Sequence, residues 1–197
     1  YRILDGVLAG GERPFFERET IWTFNRLDAE GRHDDAVAIN EYQTSYNEYP
    51  AIGSGSITHL NGCLYVNEFS IPAYNAAIEG GTMALMGKSI MSKRDLMRYH
   101  FLLHLYRLRL EKQAFRREFG CSVEAGLPAE MAYLTLNGAF ATNDAEELTL
   151  TLRGRYLVLV MYRLFLSGMN ELRDQARATL TGEERHLLFG DGTPYSG

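Results

Sequence analysis

The chain has 197 residues, 46% of them hydrophobic and 23% charged, which is the composition of a globular protein of one or two domains and excludes a disordered or low-complexity chain. The net charge is −5, and residues 1–91 hold 6 Lys and Arg against 12 Asp and Glu; so acidic a half argues against wrapping nucleic acid, which wants a concentrated positive face. The two cysteines, Cys63 and Cys121, read as reduced thiols of a cytoplasmic protein rather than a disulfide framework, and they build no metal or cluster site alone.

In chain order, residues 3–8 read as the end of a helix, stopped by Gly10-Gly11 and then Pro14. Residues 19–24 alternate Ile21, Trp22 and Phe24 with threonine and read as a strand, followed by a charged loop over residues 28–35. The chain opens on Tyr1 without the basic, apolar and small-residue regions of a secretory signal. The expectation is a piece of a longer chain, with the edge of an α/β unit at its start.

Residues 49–74 organise the rest. Gly53 and Gly55 flank Ser54, and without a Cβ they let backbone N–H groups approach a bound group; an ordinary structural turn fits the same pattern. Asn61-Gly62 is the strongest two-residue turn signal in the chain, and it joins two short apolar runs, so a hairpin is expected there. Tyr42, Gln43, Tyr46 and Tyr49 crowd the approach to the glycine loop, where aromatic rings either stack a flat ligand or seal a turn. A short helix over residues 72–78 ends at Gly80-Gly81, and residues 83–86 read as an apolar connector.

Ser92-Lys93-Arg94-Asp95 has capping-box spacing, with Met91 and Leu96 as the apolar staple. The helix that follows, residues 96–110, is apolar on nearly every face and is expected to be buried. His100 and His104 are spaced to share a metal, yet no third ligand is adjacent, and helix packing is the simpler reading. Further helices are expected over residues 112–119 and 128–136, then a hairpin around Asn143-Asp144, a long helix over residues 153–179 interrupted softly at Gly168, and a loose tail over 182–197. Helix, helix, helix, hairpin and helix is a winged-helix-like order. The helix that would enter a DNA groove, within residues 122–138, contains Glu124 and Glu130 and no Lys or Arg, the wrong sign for phosphates. The most apolar run, residues 156–166, is interrupted by Arg163 and falls short of the roughly 20 residues of a spanning helix. No membrane segment is expected.

Tyr42-Gln43, then Ile52-Gly53-Ser54-Gly55-Ser56-Ile57, Asn61-Gly62, Tyr65, Asn67 and Tyr74, followed by a capped helix, occur in an order that resembles the C-terminal half of oxygen-independent coproporphyrinogen III oxidases and their radical S-adenosylmethionine relatives. Thr151-Leu152-Arg153-Gly154-Arg155 resembles that family's T-x-x-G-R segment, and Leu172-Arg173-Asp174-Gln175-Ala176-Arg177 its L-R-x-x-A-R.

The resemblance implies an α+β chain in two parts. Residues 1–91 would be the remnant of the last α/β unit of a partial (β/α) barrel with its glycine loop and hairpin, and residues 92–181 a winged-helix-like helical domain acting as a lid. In such enzymes a C-x-x-x-C-x-x-C motif holds a [4Fe-4S] cluster, whose open iron binds S-adenosylmethionine. This sequence lacks that motif, so cluster and cofactor are implied for the parent only, with no catalytic or metal residue here. Gln43, Gly53, Gly55 and Ile57 would lie near a second S-adenosylmethionine in the cavity.

The implied partners are the missing N-terminal barrel and a porphyrinogen or other tetrapyrrole; no nucleic acid or membrane is implied. An apolar face left by the missing barrel would favour a homodimer. Oxidase, haem chaperone and methyltransferase activities share this half of the fold. The alternative is a haem-binding chaperone or interaction module without radical chemistry, with His59 or His100 as axial ligand.

Overall fold

The computed structural model describes residues 1–12, 14–27, 48–178 and 180–189, with the backbone alone over 165–177, 185 and 187–189. The chain is α+β, and its described residues fall into two compact units. One lies within residues 1–46 and 93–163, the other within 47–92 and 164–197.

In the first unit, helix α1 (Arg2–Ala9) packs on a two-stranded hairpin, β1 (Phe16–Arg18) and β2 (Phe24–Arg26), paired Glu17 to Asn25. The strand expected over residues 19–24 is instead mostly the turn of this hairpin. Thr20 Oγ1 accepts from the amides of Trp22 (3.2 Å) and Thr23 (2.9 Å), and the Glu19 amide donates to the Thr23 carbonyl. A threonine hydroxyl that draws amides two and three residues ahead competes directly with strand pairing. Ile21, at the turn, is fully buried, and its amide donates to the Tyr106 carbonyl at 2.8 Å.

Helix α3 (Lys93–Tyr106) starts right after Ser92 and buries Met97, His100, Phe101, Leu103 and Leu105. It stops short of the expected end, because Leu108 turns the chain through the left-handed region (φ 73°) into a strand, β6 (Arg109–Glu111). Helix α4 (Lys112–Phe119) ends at left-handed Gly120, as its sequence predicts. The short α5 (Val123–Gly126) is capped by Ser122, whose hydroxyl accepts from the Ala125 amide; α6 (Pro128–Leu136) follows, with proline in its first turn. Strands β7 (Phe140–Asn143) and β8 (Glu147–Leu150) form the expected hairpin, and the Asp144 carboxylate accepts from the Glu146 and Glu147 amides at its turn. The sheet runs β6-β8-β7, with Leu110 opposite Leu148. Phe101, Phe115, Leu127, Leu134, Leu148 and Val158 meet in one core, where each large side chain contributes about 1.5–3 kcal/mol by leaving water. The last helix of this unit is the start of α7 (Leu152–Ala178), an unbroken 27-residue helix through Gly168.

In the second unit, β3 (Ile57–Leu60) and β4 (Cys63–Asn67) are the hairpin expected at Asn61-Gly62; both turn residues have positive φ, 49° and 69°. Helix α2 (Ile71–Glu79) is capped by Ser70 and followed by Gly80 and Gly81. The apolar connector expected over residues 83–86 instead leads into a third strand, β5 (Leu85–Ile90), antiparallel to β4 with Tyr65 opposite Lys88. Residues 182–189, expected as part of a loose tail, form helix α8 (Gly182–Phe189). Thr181 and Glu184 cap it reciprocally: Thr181 N–H donates to the Glu184 carboxylate (2.9 Å) and the Glu184 amide to Thr181 Oγ1 (3.3 Å). The other Glu184 oxygen accepts from the Ser70 hydroxyl at the start of α2. No helix among the described residues is long and apolar enough to cross a membrane.

Candidate functional site

The glycine loop of the second unit is the site the sequence singles out. Gly53 (φ 106°) and Gly55 (φ 67°) occupy backbone conformations that L residues rarely adopt. A Cβ on Gly53 would enter open space, whereas one on Gly55 would lie 2.9 Å from the Phe69 ring. Both amides already have internal partners: Gly53 N–H donates to the Tyr74 hydroxyl at 3.1 Å, and Gly55 N–H to the Glu68 carbonyl at 2.9 Å. Asn67 Nδ2 donates to the Gly53 carbonyl (3.0 Å) and to Ser56 Oγ (2.9 Å), while the Ser56 hydroxyl donates to the Gly53 carbonyl (2.7 Å).

Gly53, Ser56, Asn67 and Tyr74 are thus tied into one network. A carboxylate using the Gly53 amide would have to take the place of the Tyr74 oxygen. Ile52, 93% exposed, stands on the open side of the loop. Ile57 is the first residue of β3 and is buried in the sheet, so its side chain packs inward. Gln43, Tyr42 and Tyr46 lie outside the described residues. Residues 50–58 hold no acid, base or thiol; the loop offers donors and shape rather than proton transfer.

The T-x-x-G-R residues have structural assignments, whereas the side chains of Leu172–Arg177 lie outside the described residues. Thr151 Oγ1 accepts from the Gly154 amide at 3.0 Å, capping α7, and its hydroxyl lies 2.9 Å from the Gly138 carbonyl and 3.1 Å from that of Ala139. Gly154 is buried against the Ala139 backbone, and Arg155 Nη1 reaches Asp5 Oδ1 at 3.3 Å.

His59 is buried in β3, bonded through its backbone N–H and C=O to Tyr49 (3.0 and 2.8 Å), with the Tyr49 ring edge-on to it. The His100 and His104 rings stack 4.0 Å apart, and Phe115 and Phe119 meet the His100 ring edge-on. Burial, with the neighbouring His104, pushes His100 down to about 3. The Glu118 carboxylate lies 3.3 Å from Nδ1 and favours the charged ring, but it is 46% exposed, and water screens it while the apolar walls act undiminished. Helix packing is what the structure gives this pair. Among the described residues no cluster of three His, Cys, Asp or Glu is arranged to hold a metal. The thiols Cys63 and Cys121 belong to different units. This chain's own residues therefore do not fit a three-cysteine iron–sulfur cluster.

No protein-family model matches the chain, and no curated protein matches it in sequence. Among solved structures, a coproporphyrinogen III oxidase from Escherichia coli, described as a radical SAM enzyme, is similar at 16% identity and a TM-score of 0.44. The similarity covers 54% of this chain and 25% of that one, so the chain spans about a quarter of the oxidase's length.

Proposed function

We propose that this chain is the substrate-side portion of a radical S-adenosylmethionine oxidoreductase resembling oxygen-independent coproporphyrinogen III oxidase, acting on a porphyrinogen or other tetrapyrrole. The observation that supports this reading is the convergence of the motif residues on one loop: Asn67 and Tyr74, 14 and 21 positions on, both bond the backbone of Gly53. In this reading the first residues continue a barrel encoded upstream, and residues 92–181 form a winged-helix-like lid. Gln43, Gly53, Gly55 and Ile57 are the positions nearest a second S-adenosylmethionine. Gly53 contributes through its backbone amide once a ligand oxygen replaces that of Tyr74, on a side of the loop that is open. When bound in the parent, the cluster and cofactor supply the radical; this chain supplies substrate enclosure.

The haem-module alternative loses ground here, since His59 and His100 are both 3% exposed and an axial ligand must face an open pocket wide enough for the macrocycle.

The test uses the longer coding region that contains this chain. Its product is loaded with iron and sulfide without oxygen and assayed for 5′-deoxyadenosine with coproporphyrinogen III as the added substrate. A three-cysteine motif together with substrate-dependent cofactor cleavage is the expected result; a motif-free or non-cleaving parent overturns the reading.

A further inference from the structure

The first unit holds an open cleft of about 600 Å³ that the glycine-loop reading does not use. Asp5 of α1, Phe16, Glu17 and Arg18 of β1, Leu108 and Arg155 of α7 are among its lining. Deep in it, one oxygen serves two cations: Asp5 Oδ1 pairs with Arg18 Nη2 and, at 3.3 Å, with Arg155 Nη1. Two guanidiniums on one carboxylate leave an excess positive charge at that point. Glu17, the other carboxylate of the lining, is exposed, while the Arg18 side chain is only 8% exposed; the formal balance of the whole lining therefore conceals a positive interior.

Arg18 is fixed in place. Its Nη1 donates to the Tyr1 hydroxyl at 3.0 Å, and its guanidinium lies 4.5 Å above the Phe24 ring. Burial holds it below its ordinary value; the Tyr1 phenol opposes this and the like charge of Arg155 adds to it. Arg155 reaches Asp5 and the Tyr1 phenol through its guanidinium. Its Nε is buried with no hydrogen-bond partner among the described residues, although a guanidinium has five N–H donors in a planar fork. A buried donor left unmatched calls for a water or an ion.

We propose that this cleft binds a small oxyanion, a phosphate or carboxylate group, seated between Arg18 and Arg155 beside Asp5. Asp5 is the internal counter-charge, holding the two guanidiniums in register and limiting affinity by competing for them. The rigid planar fork suits oxyanions better than a lysine ammonium would. The site lies wholly within the first unit and stands independently of the tetrapyrrole reading.

The experiment titrates the 197-residue chain at low ionic strength with inorganic phosphate and, separately, with succinate. Arginine Nε–H resonances are followed by NMR. A saturable shift of the Arg155 Nε–H signal is expected, and response to one probe alone identifies phosphate or carboxylate as the ligand chemistry. Asp5→Asn removes the competing carboxylate and should tighten binding about tenfold, as one unit charge at close range does. Arg155→Lys keeps the charge but loses the fork and should weaken binding about tenfold, read from other resonances lining the cleft. Circular dichroism checks that each variant folds. No saturable shift in either the parent chain or Asp5→Asn overturns the proposal, and so does binding that is unchanged in both variants.

Discussion

Gly154 stands against the carbonyl of Ala139 with no room for a side chain: a Cβ there would lie 1.9 Å from that oxygen. The obstructing atom is backbone, so no rotamer change relieves the clash. Gly154→Ala should therefore force α7 away from the start of β7 and lower stability by roughly 3 kcal/mol. The midpoint of urea unfolding reads it, and an unchanged midpoint would mean that the helix start shifts freely.

Thr151 provides the cap of the same helix, its oxygen accepting from the Gly154 amide at 3.0 Å. Thr151→Ala should cost about 1 kcal/mol, and Thr151→Ser much less because the accepting oxygen survives. Equal losses in the two variants would assign the effect to the methyl group rather than the cap.

At the glycine loop, Tyr74→Phe removes the acceptor of the Gly53 amide while keeping the ring. The expected cost is about 1 kcal/mol, concentrated locally, so Gly53 amide hydrogen exchange should accelerate several-fold while the Phe101 and Leu105 amides of α3 keep their rates. Uniform acceleration across the chain would show instead that Tyr74 supports global stability.

His100 makes a prediction in pH. Its folded value, about 3, lies below the ordinary 6.5. Between those values the unfolded chain binds a proton that the folded chain refuses, so stability falls as pH drops from about 6.5 toward 3 and is unaffected by this group above that window. The slope contributed is about 1.4 kcal/mol per pH unit. His104, lowered first by burial and then by Arg107, adds to it. Comparing urea midpoints at pH 7 and pH 5 for the parent and His100→Phe isolates the term: the variant should lose less on acidification. An equal loss in both would place a charged or already solvated imidazole at position 100.

Much of the fold is legible in the sequence where punctuation is local. Gly120, Pro128, Asn137-Gly138 and Asn61-Gly62 mark boundaries that the structure keeps, because each acts through its own φ or its missing N–H. What escapes is long-range. Strand β5 owes its existence to pairing with β4, Cys63 opposite Ile90, and Gly87 in its middle hides the strand. Strand β6 is drawn from the expected helix end by β8. Helix α8 did have a local signal, since Thr181 and Glu184 have capping-box spacing. At the site, the glycines and the hairpin are visible in advance, but the partners of Gly53 and Gly55 are not. The Asp5–Arg18–Arg155 cluster has no sequence signature at all, because nothing in residue spacing announces which charges a fold will bring together.

Asp5 and Arg155 are 150 positions apart. During synthesis at about 5–20 residues per second, the first helix waits roughly 8–30 seconds after it is made before its guanidinium partner is added. On its own α1, eight residues or about two turns, is too short to hold its structure in water. The cleft is thus among the last features of the first unit to be assembled, and a ribosome stalled between the two residues would display a chain whose oxyanion site does not yet exist.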